Sequence, residues 1–212
     1  MTTPLLEPDN RVFLGMGGEG KSHLARHQSW TVAPRVIICD PNAEPAWASG
    51  AMVVDHPADL CQLLKEPEAR LCWRGFDHMG EEAAFLWANR AALAAGDTLI
   101  IWDEVDFFYP YIKPDTPPYR VWNAGRHQRV RCFAIARSAL AVPRTLTRNA
   151  TSVCAFVTAE PSDIKYMAGT PRAPGLIGIE AAAAVQGLQP GSRQCVHWKR
   201  GGGWQIRKSP FL

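Results

Sequence analysis

The chain has no run of eighteen apolar residues, so nothing in it reads as a membrane-spanning helix. It has no C-x-x-C pair, and Cys195-x-His197 alone makes no zinc site. The six cysteines are scattered, most of them inside apolar runs, and read as buried, reduced thiols. Charge of one sign is missing too. A formal net charge of +3 over 212 residues permits a nucleic-acid partner without arguing for one, so any such contact has to be local. The opening Met1-Thr2-Thr3-Pro4 lacks a basic stretch followed by an apolar one, so no signal peptide is expected. Internal repeats and low-complexity tracts are absent. What remains is 47% hydrophobic and 20% charged, enough for one domain of generous size or a domain with a small appendage.

Short apolar runs alternate with helical stretches. Strands are predicted over residues 11–14, 35–39, 51–54, 70–73, 98–102, 131–136 and 152–157. Helices are predicted over 21–29, 58–65, 81–95, 118–126 and 144–149. The third of these is the clearest, with Glu81 and Glu82 in its first turn and Gly96 just past its end. Strands that are apolar throughout and separated by helices indicate a parallel sheet covered on both faces. The expected fold class is therefore α/β, a mostly parallel central sheet flanked by helices, with a short C-terminal β-hairpin. Residues 1–168 would form the core. Residues 169–212, with a short helix (179–186) and a hairpin turning at Arg200-Gly201-Gly202-Gly203, would form an extension packed on it. A Pro-rich segment, residues 109–118, reads as a stiff surface loop.

One motif is complete. Gly15-Met16-Gly17-Gly18-Glu19-Gly20-Lys21-Ser22 is a G-x-x-x-x-G-K-[ST] phosphate loop, placed between the apolar Val12-Phe13-Leu14 and a helix opening at Lys21 through His23. Its glycines let backbone N–H groups close around phosphate oxygens. Lys21 would reach the β- and γ-phosphates, and the Ser22 hydroxyl would ligand Mg2+. The motif predicts binding of a nucleoside triphosphate, ATP with Mg2+, through residues 15–23.

The run Leu99-Ile100-Ile101-Trp102 ends in Asp103-Glu104, an acidic strand end of the Walker B kind. A buried parallel strand would deliver Asp103 beside the phosphate loop to organise the metal. Glu104 would accept a proton from an attacking water, with Asp106 in reserve. Two readings stay open for Asp40, which ends the second strand: a turn former before Pro41, or an acid behind the metal. Arginine is used in preference to lysine before and after the strand at 131–136, which suits bidentate contacts to phosphate or carboxylate. Arg126, Arg129, Arg144 and Arg148 are candidates for an arginine finger, the first two favoured.

These blocks resemble the FtsK–HerA superfamily of DNA-pumping ATPases. The resemblance rests on the phosphate loop with the following Ile37-Ile38-Cys39-Asp40-Pro41, and on Ile100-Ile101-Trp102-Asp103-Glu104. It rests further on Gly125-Arg126-His127-Gln128-Arg129 leading into a strand, and on the block ending at Glu160-Pro161-Ser162-Asp163. It covers roughly residues 11–167. The chain departs from the family where a polar sensor usually ends the strand after Walker B: Ala136 stands there, so either Arg137 or Ser138 takes the task or γ-phosphate sensing differs. The compact length is similar to the genome-packaging ATPases of internal-membrane, double jelly-roll viruses and to the Zot-like ATPases of filamentous phages. The resemblance implies a homo-oligomeric ring, pentamer or hexamer, that hydrolyses ATP to thread double-stranded DNA into a capsid. Such a ring would sit in the host cytoplasm or at a capsid or membrane packaging vertex, with its finger supplied from a neighbouring subunit.

The DNA side is weakly written. The Pro-rich loop, with Tyr109, Tyr111, Lys113 and Tyr119, reads as an ordered surface loop or as a pore loop. The basic C-terminal hairpin reads as a charged edge or as a DNA contact. Two other functional classes stay open, an export factor of the Zot type and a monomeric small-molecule kinase. Glu104 counts against the kinase.

Overall fold

A computed structural model of the chain describes residues 9–209; Met1 to Pro4, read above for a leader, lie outside the described residues. Among the described residues are eleven strands and ten α-helices, for the most part alternating. The first strands are β1 (Asn10–Leu14), β2 (Arg35–Cys39), β3 (Met52–Val54), β4 (Ala69–Trp73), β5 (Thr98–Trp102), β6 (Arg131–Ala136) and β7 (Ser152–Ala155). After a two-residue pair, β8 (Gly169–Thr170) and β9 (Ala173–Pro174), come β10 (Gln194–Lys199) and β11 (Gly203–Lys208). The helices are α1 (Lys21–Ser29), α2 (Pro45–Ala48), α3 (Pro57–Leu63), α4 (Phe76–Met79) and α5 (Glu81–Ala95), followed by α6 (Val105–Phe108), α7 (Pro117–Ala124), α8 (Arg144–Asn149), α9 (Pro161–Ala168) and α10 (Ile179–Gln186).

Nine strands form one sheet in the order β11-β10-β7-β1-β6-β5-β2-β4-β3. The seven from β7 to β3 are mutually parallel. β10 joins β7 antiparallel and β11 closes the edge, so the expected α/β class and the C-terminal hairpin are both present, the hairpin as part of the sheet. β6 lies between β1 and β5, which separates the phosphate-loop strand from the acidic one by a single strand.

Alternation along each strand sends side chains to opposite faces. Val12, Leu14, Ile37, Ile100 and Trp102 join a core with α5, α7 and α10, whereas Phe13, Ile38, Ile101 and Phe133 pack under Leu24, Ala25 and Trp47 of α1 and α2. The carboxyl end of β5 is anchored by a buried polar chain. Trp102 donates its indole N–H to Asn89 Oδ1 at 3.1 Å, and Asn89 donates to the Phe85 carbonyl at 2.8 Å. Each buried polar group is thereby satisfied, which fixes the orientation of the strand end.

Every strand predicted from sequence is present, three with the expected ends and the other four with one end shifted by a residue or two. The Pro-rich segment is more structured than expected. It contains a 3-10 turn (Tyr109–Tyr111), and Pro117 opens α7 at a position where a missing N–H costs nothing. The short α2, α4 and α6 were not anticipated; four residues are too few to show a helical period. Among the described residues no helix is long and apolar enough to cross a membrane.

Candidate functional site

All seven parallel strands present their carboxyl ends to one edge, where ligands of open α/β sheets collect. The loops after β1, β2, β5 and β6 meet there around a cleft of about 300 Å³. Its walls carry Gly17, Gly18, Gly20, Lys21, Ser22 and His23 from the first loop, Asp103 and Glu104 from β5, and Ala136 and Arg137 from β6.

The backbone demands glycine at the entrance to the loop. Gly15 has φ +133°, and a Cβ there would lie 2.8 Å from Phe156 Cβ and 2.9 Å from the Val157 carbonyl oxygen. Met16 N–H donates to that same carbonyl at 2.9 Å, fastening the loop to the end of β7. Gly20, at φ +100°, turns the chain into α1, so N–H groups of the first helical turn face the cleft. Lys21 is buried, and its ammonium donates to the Gly15 and Met16 carbonyls, both at 2.7 Å. Burial pushes its pKa down, and the Asp103 carboxylate opposes the shift.

Asp103 is buried at the end of β5, its N–H bonded to the Cys39 carbonyl at 3.2 Å. One carboxylate oxygen accepts from Ser22 Oγ at 3.4 Å and the other from Trp47 Nε1 at 2.6 Å. Burial raises its pKa to about 7. The Trp47 bond works against the shift, while the charges of Glu44, Asp40 and Glu104 reinforce it. A buried carboxylate so short of positive charge, beside a serine hydroxyl, suits a hard cation. Among the described residues no cluster of three or more His, Cys, Asp or Glu is placed to hold a metal. Ser22 and Asp103 are the residues that would hold Mg2+, which takes few protein ligands and completes its shell with phosphates and water.

Glu104 has φ 57° and ψ 61°, a left-handed conformation that is strained for a residue with a Cβ. Its carboxylate is held from two sides, by Asn42 Nδ2 at 2.6 Å and by the Arg137 guanidinium. At the end of β6 Arg137 faces the cleft, whereas Ser138 Oγ donates to the buried Asp163 at 2.7 Å. Asp106 follows on α6, one carboxylate oxygen buried without a hydrogen-bond partner, and burial raises its pKa. Asp40 is committed to structure: it accepts from Arg74 Nε at 2.9 Å and from Glu44 N–H at 3.1 Å, and touches the site through its charge alone.

Other predicted residues lie elsewhere. Glu19 is buried within the loop, but its carboxylate turns to the Gly191 N–H, at 3.0 and 3.1 Å. Arg126 and Arg129 precede β6 and so stand at the amino edge of the sheet, opposite the cleft of their own chain; Arg129 is ion-paired with Asp97 at 2.6 Å. Arg144 and Arg148 line a separate groove of about 600 Å³ with Lys165, Tyr166, Trp198 and Arg200. Asn42, Trp47 and Arg193, the last also lining the cleft, were not singled out from sequence. Only Pro45, a helix opener before Trp47, hinted at α2.

No family model matches the sequence, and no curated protein matches it either. Solved structures do match. The genome packaging NTPase B204 from Sulfolobus turreted icosahedral virus 2, in complex with sulfate, superposes with a TM-score of 0.73 at 18% identity, covering 98% of this chain and 99% of that one. The same NTPase with ATP-gammaS gives 0.71 at 19% identity, over 97% and 100% of the two chains. VirB4 of Thermoanaerobacter pseudethanolicus gives 0.53 at 11% identity, over 100% and 92%. The chain shares its fold, end to end, with these proteins, in keeping with the FtsK–HerA resemblance of its motifs.

Proposed function

We propose that the chain is an ATPase of the FtsK–HerA type that works as a homo-oligomeric ring, a pentamer or hexamer, and drives double-stranded DNA into a viral procapsid. The observation that carries this reading is the convergence of Lys21, Ser22, Asp103 and Glu104 at one sheet edge. The end-to-end likeness to a packaging NTPase supports it.

In this reading Lys21 gives up its loop carbonyls for the triphosphate, and loop N–H groups take the remaining phosphate oxygens. Ser22 and Asp103 hold Mg2+, which offsets charge on the phosphates. Glu104 accepts a proton from the attacking water. Arg137, released from Glu104, stabilises charge on the transferred phosphoryl group from within the subunit. Arg126 stands at the amino edge with no side-chain hydrogen bond or ion pair among the described residues, and supplies the finger to a neighbouring subunit. Arg129, held by Asp97, is the weaker candidate. The groove with Arg144, Arg148, Lys165 and Arg200 has no carboxylate in its lining and suits a phosphodiester backbone. The ring would act in the host cytoplasm or at a capsid or membrane packaging vertex.

The test is ATP hydrolysis by the purified chain at low salt, with and without long double-stranded DNA. Severalfold stimulation by DNA, abolished by Lys21→Ala, is the expected result. Hydrolysis indifferent to DNA would sink the motor. Consumption of ATP only with an added acceptor molecule would turn the reading to a kinase.

A further inference from the structure

Because β10 runs antiparallel to β7, the hairpin brings both of its free ends to the carboxyl edge of the sheet, beside the phosphate loop. Two contacts hold these ends to the loop, and a third ties them to each other. Gly191 N–H donates to both oxygens of Glu19. Ser209 N–H donates to the Arg193 carbonyl at 2.9 Å. Ser209 is itself buried, its Oγ without a hydrogen-bond partner and 3.7 Å from where a Cβ on Gly20 would stand.

The clasp holds Arg193 at φ 55°, a left-handed conformation that is strained for a residue with a Cβ. Strain of this kind persists only where the surroundings impose it. Here it aims a long cationic side chain at the cleft formed by Gly17, Gly18 and Lys21. Among the described residues the Arg193 guanidinium makes no hydrogen bond and no ion pair. The other arginine of the cleft, Arg137, is held by Glu104. A planar guanidinium with all its donors free, beside a phosphate loop, can take two oxygens of one phosphate.

We infer that Arg193 is a ligand to the nucleotide's phosphates within its own subunit, so that the C-terminal hairpin completes the site and tightens when nucleotide binds. The inference rests on reading the cleft as an ATP site. It gives residues 189–209 a role in the chemistry of a loop far from them in sequence. It also explains why the loop's glutamate, Glu19, is spent on a backbone N–H.

The test measures Mg-ATP affinity of the full chain, by displacement of a fluorescent ATP analogue, for wild type, Arg193→Gly and Arg193→Lys. Glycine relieves the positive φ, so its melting temperature should equal or exceed that of wild type while ATP affinity falls at least about tenfold, as loss of a charge-assisted bond requires. Lysine keeps the charge but loses the planar fork, so its affinity should fall between those of wild type and Arg193→Gly. Amide exchange across 189–209 should slow on addition of ATP in wild type and not in Arg193→Gly. Affinity within twofold of wild type in a folded Arg193→Gly overturns the assignment of Arg193 alone. Failure of the wild-type chain to bind ATP overturns the nucleotide reading and this one with it.

Discussion

The indole Nε1 of Trp47 donates a 2.6 Å hydrogen bond to Oδ2 of Asp103, the carboxylate that ends β5. Trp47 is buried in α2, in the cluster that also holds Phe13 and Ile101, so its position is set by packing. The bond stabilises the charged carboxylate against burial, which pushes the Asp103 pKa to about 7. Trp47→Phe keeps an aromatic ring in the pocket and removes the donor. The Mg2+ concentration for half-maximal hydrolysis should rise about tenfold or more, as loss of a partner behind a metal ligand typically does. A Mg2+ titration of ATPase activity reads this directly; an unmoved half-point would show that the indole serves packing alone.

Glu104 is held by Asn42 on one oxygen and Arg137 on the other. Glu104→Gln keeps the shape of the side chain and removes its basicity. It should bind ATP with affinity close to wild type and hydrolyse it at least about a hundredfold more slowly, the cost of losing a general base. Arg137→Ala should lower kcat by at least about tenfold with a smaller change in KM, because its proposed contact strengthens as charge develops on the phosphoryl group. Single-turnover hydrolysis separates the two variants from any binding defect. Full turnover by Glu104→Gln would move the base to Asp106, whose carboxyl lies on the next turn.

What the sequence disclosed follows the range over which residues act. The phosphate loop is local, a strand, a turn and a helix start in continuous chain, and Gly15 to Ser22 announce it by composition alone. The placing of Asp103 and Glu104 beside it was legible because a wholly apolar, parallel strand carries its last residues to the carboxyl edge of the sheet. Asn42, Trp47 and Arg193 were not, because each reaches the cleft through pairing between distant strands. β2 lies beside β5 in the sheet, and β10 turns back along β7. No local period encodes either neighbour relation. The partner of the Glu19 carboxylate was hidden for the same reason: it reaches the Gly191 N–H, 172 positions away.

His197 reports on the hairpin. It sits opposite Cys154 on β7 and Gln205 on β11. Burial pushes its pKa down to about 4, and the charges of Arg207, Arg11 and Lys199 act in the same direction. In the unfolded chain histidine titrates near pH 6.5. Between about pH 6.5 and 4 the unfolded chain therefore takes up a proton that the folded chain refuses, and stability falls as pH drops through that window. His197→Gln removes this linkage. Between pH 7 and 4.5 the variant should lose less in Tm than wild type, by about 2 °C or more, in parallel calorimetric scans. Equal losses would mean that the imidazole is hydrated in the folded state.

In the proposed reading the basic groove separates the grip on DNA from ATP hydrolysis. Arg144, Arg148 and Lys165 line it away from the phosphate loop, and none of their side chains makes a hydrogen bond or ion pair among the described residues. Arg200 differs: its guanidinium holds the Ala150 carbonyl at 3.1 Å and also the Arg148 carbonyl, so replacing it would disturb the hairpin. Arg144→Ala, Arg148→Ala and Lys165→Ala should each weaken binding to long duplex DNA to a similar extent whatever its sequence. Each should also reduce the slope of log K against log salt by about 0.9, as loss of one phosphate contact requires. Hydrolysis without DNA should be unchanged in all three, while the DNA concentration needed for stimulation rises. A triple variant with the wild-type salt slope would place the grip elsewhere, the loop from Tyr109 to Thr116 being the next surface to test. It follows α6, which begins directly after Glu104, so its substitution would alter basal hydrolysis as well as binding. That joint effect distinguishes a loop that couples the two activities from a groove that only holds.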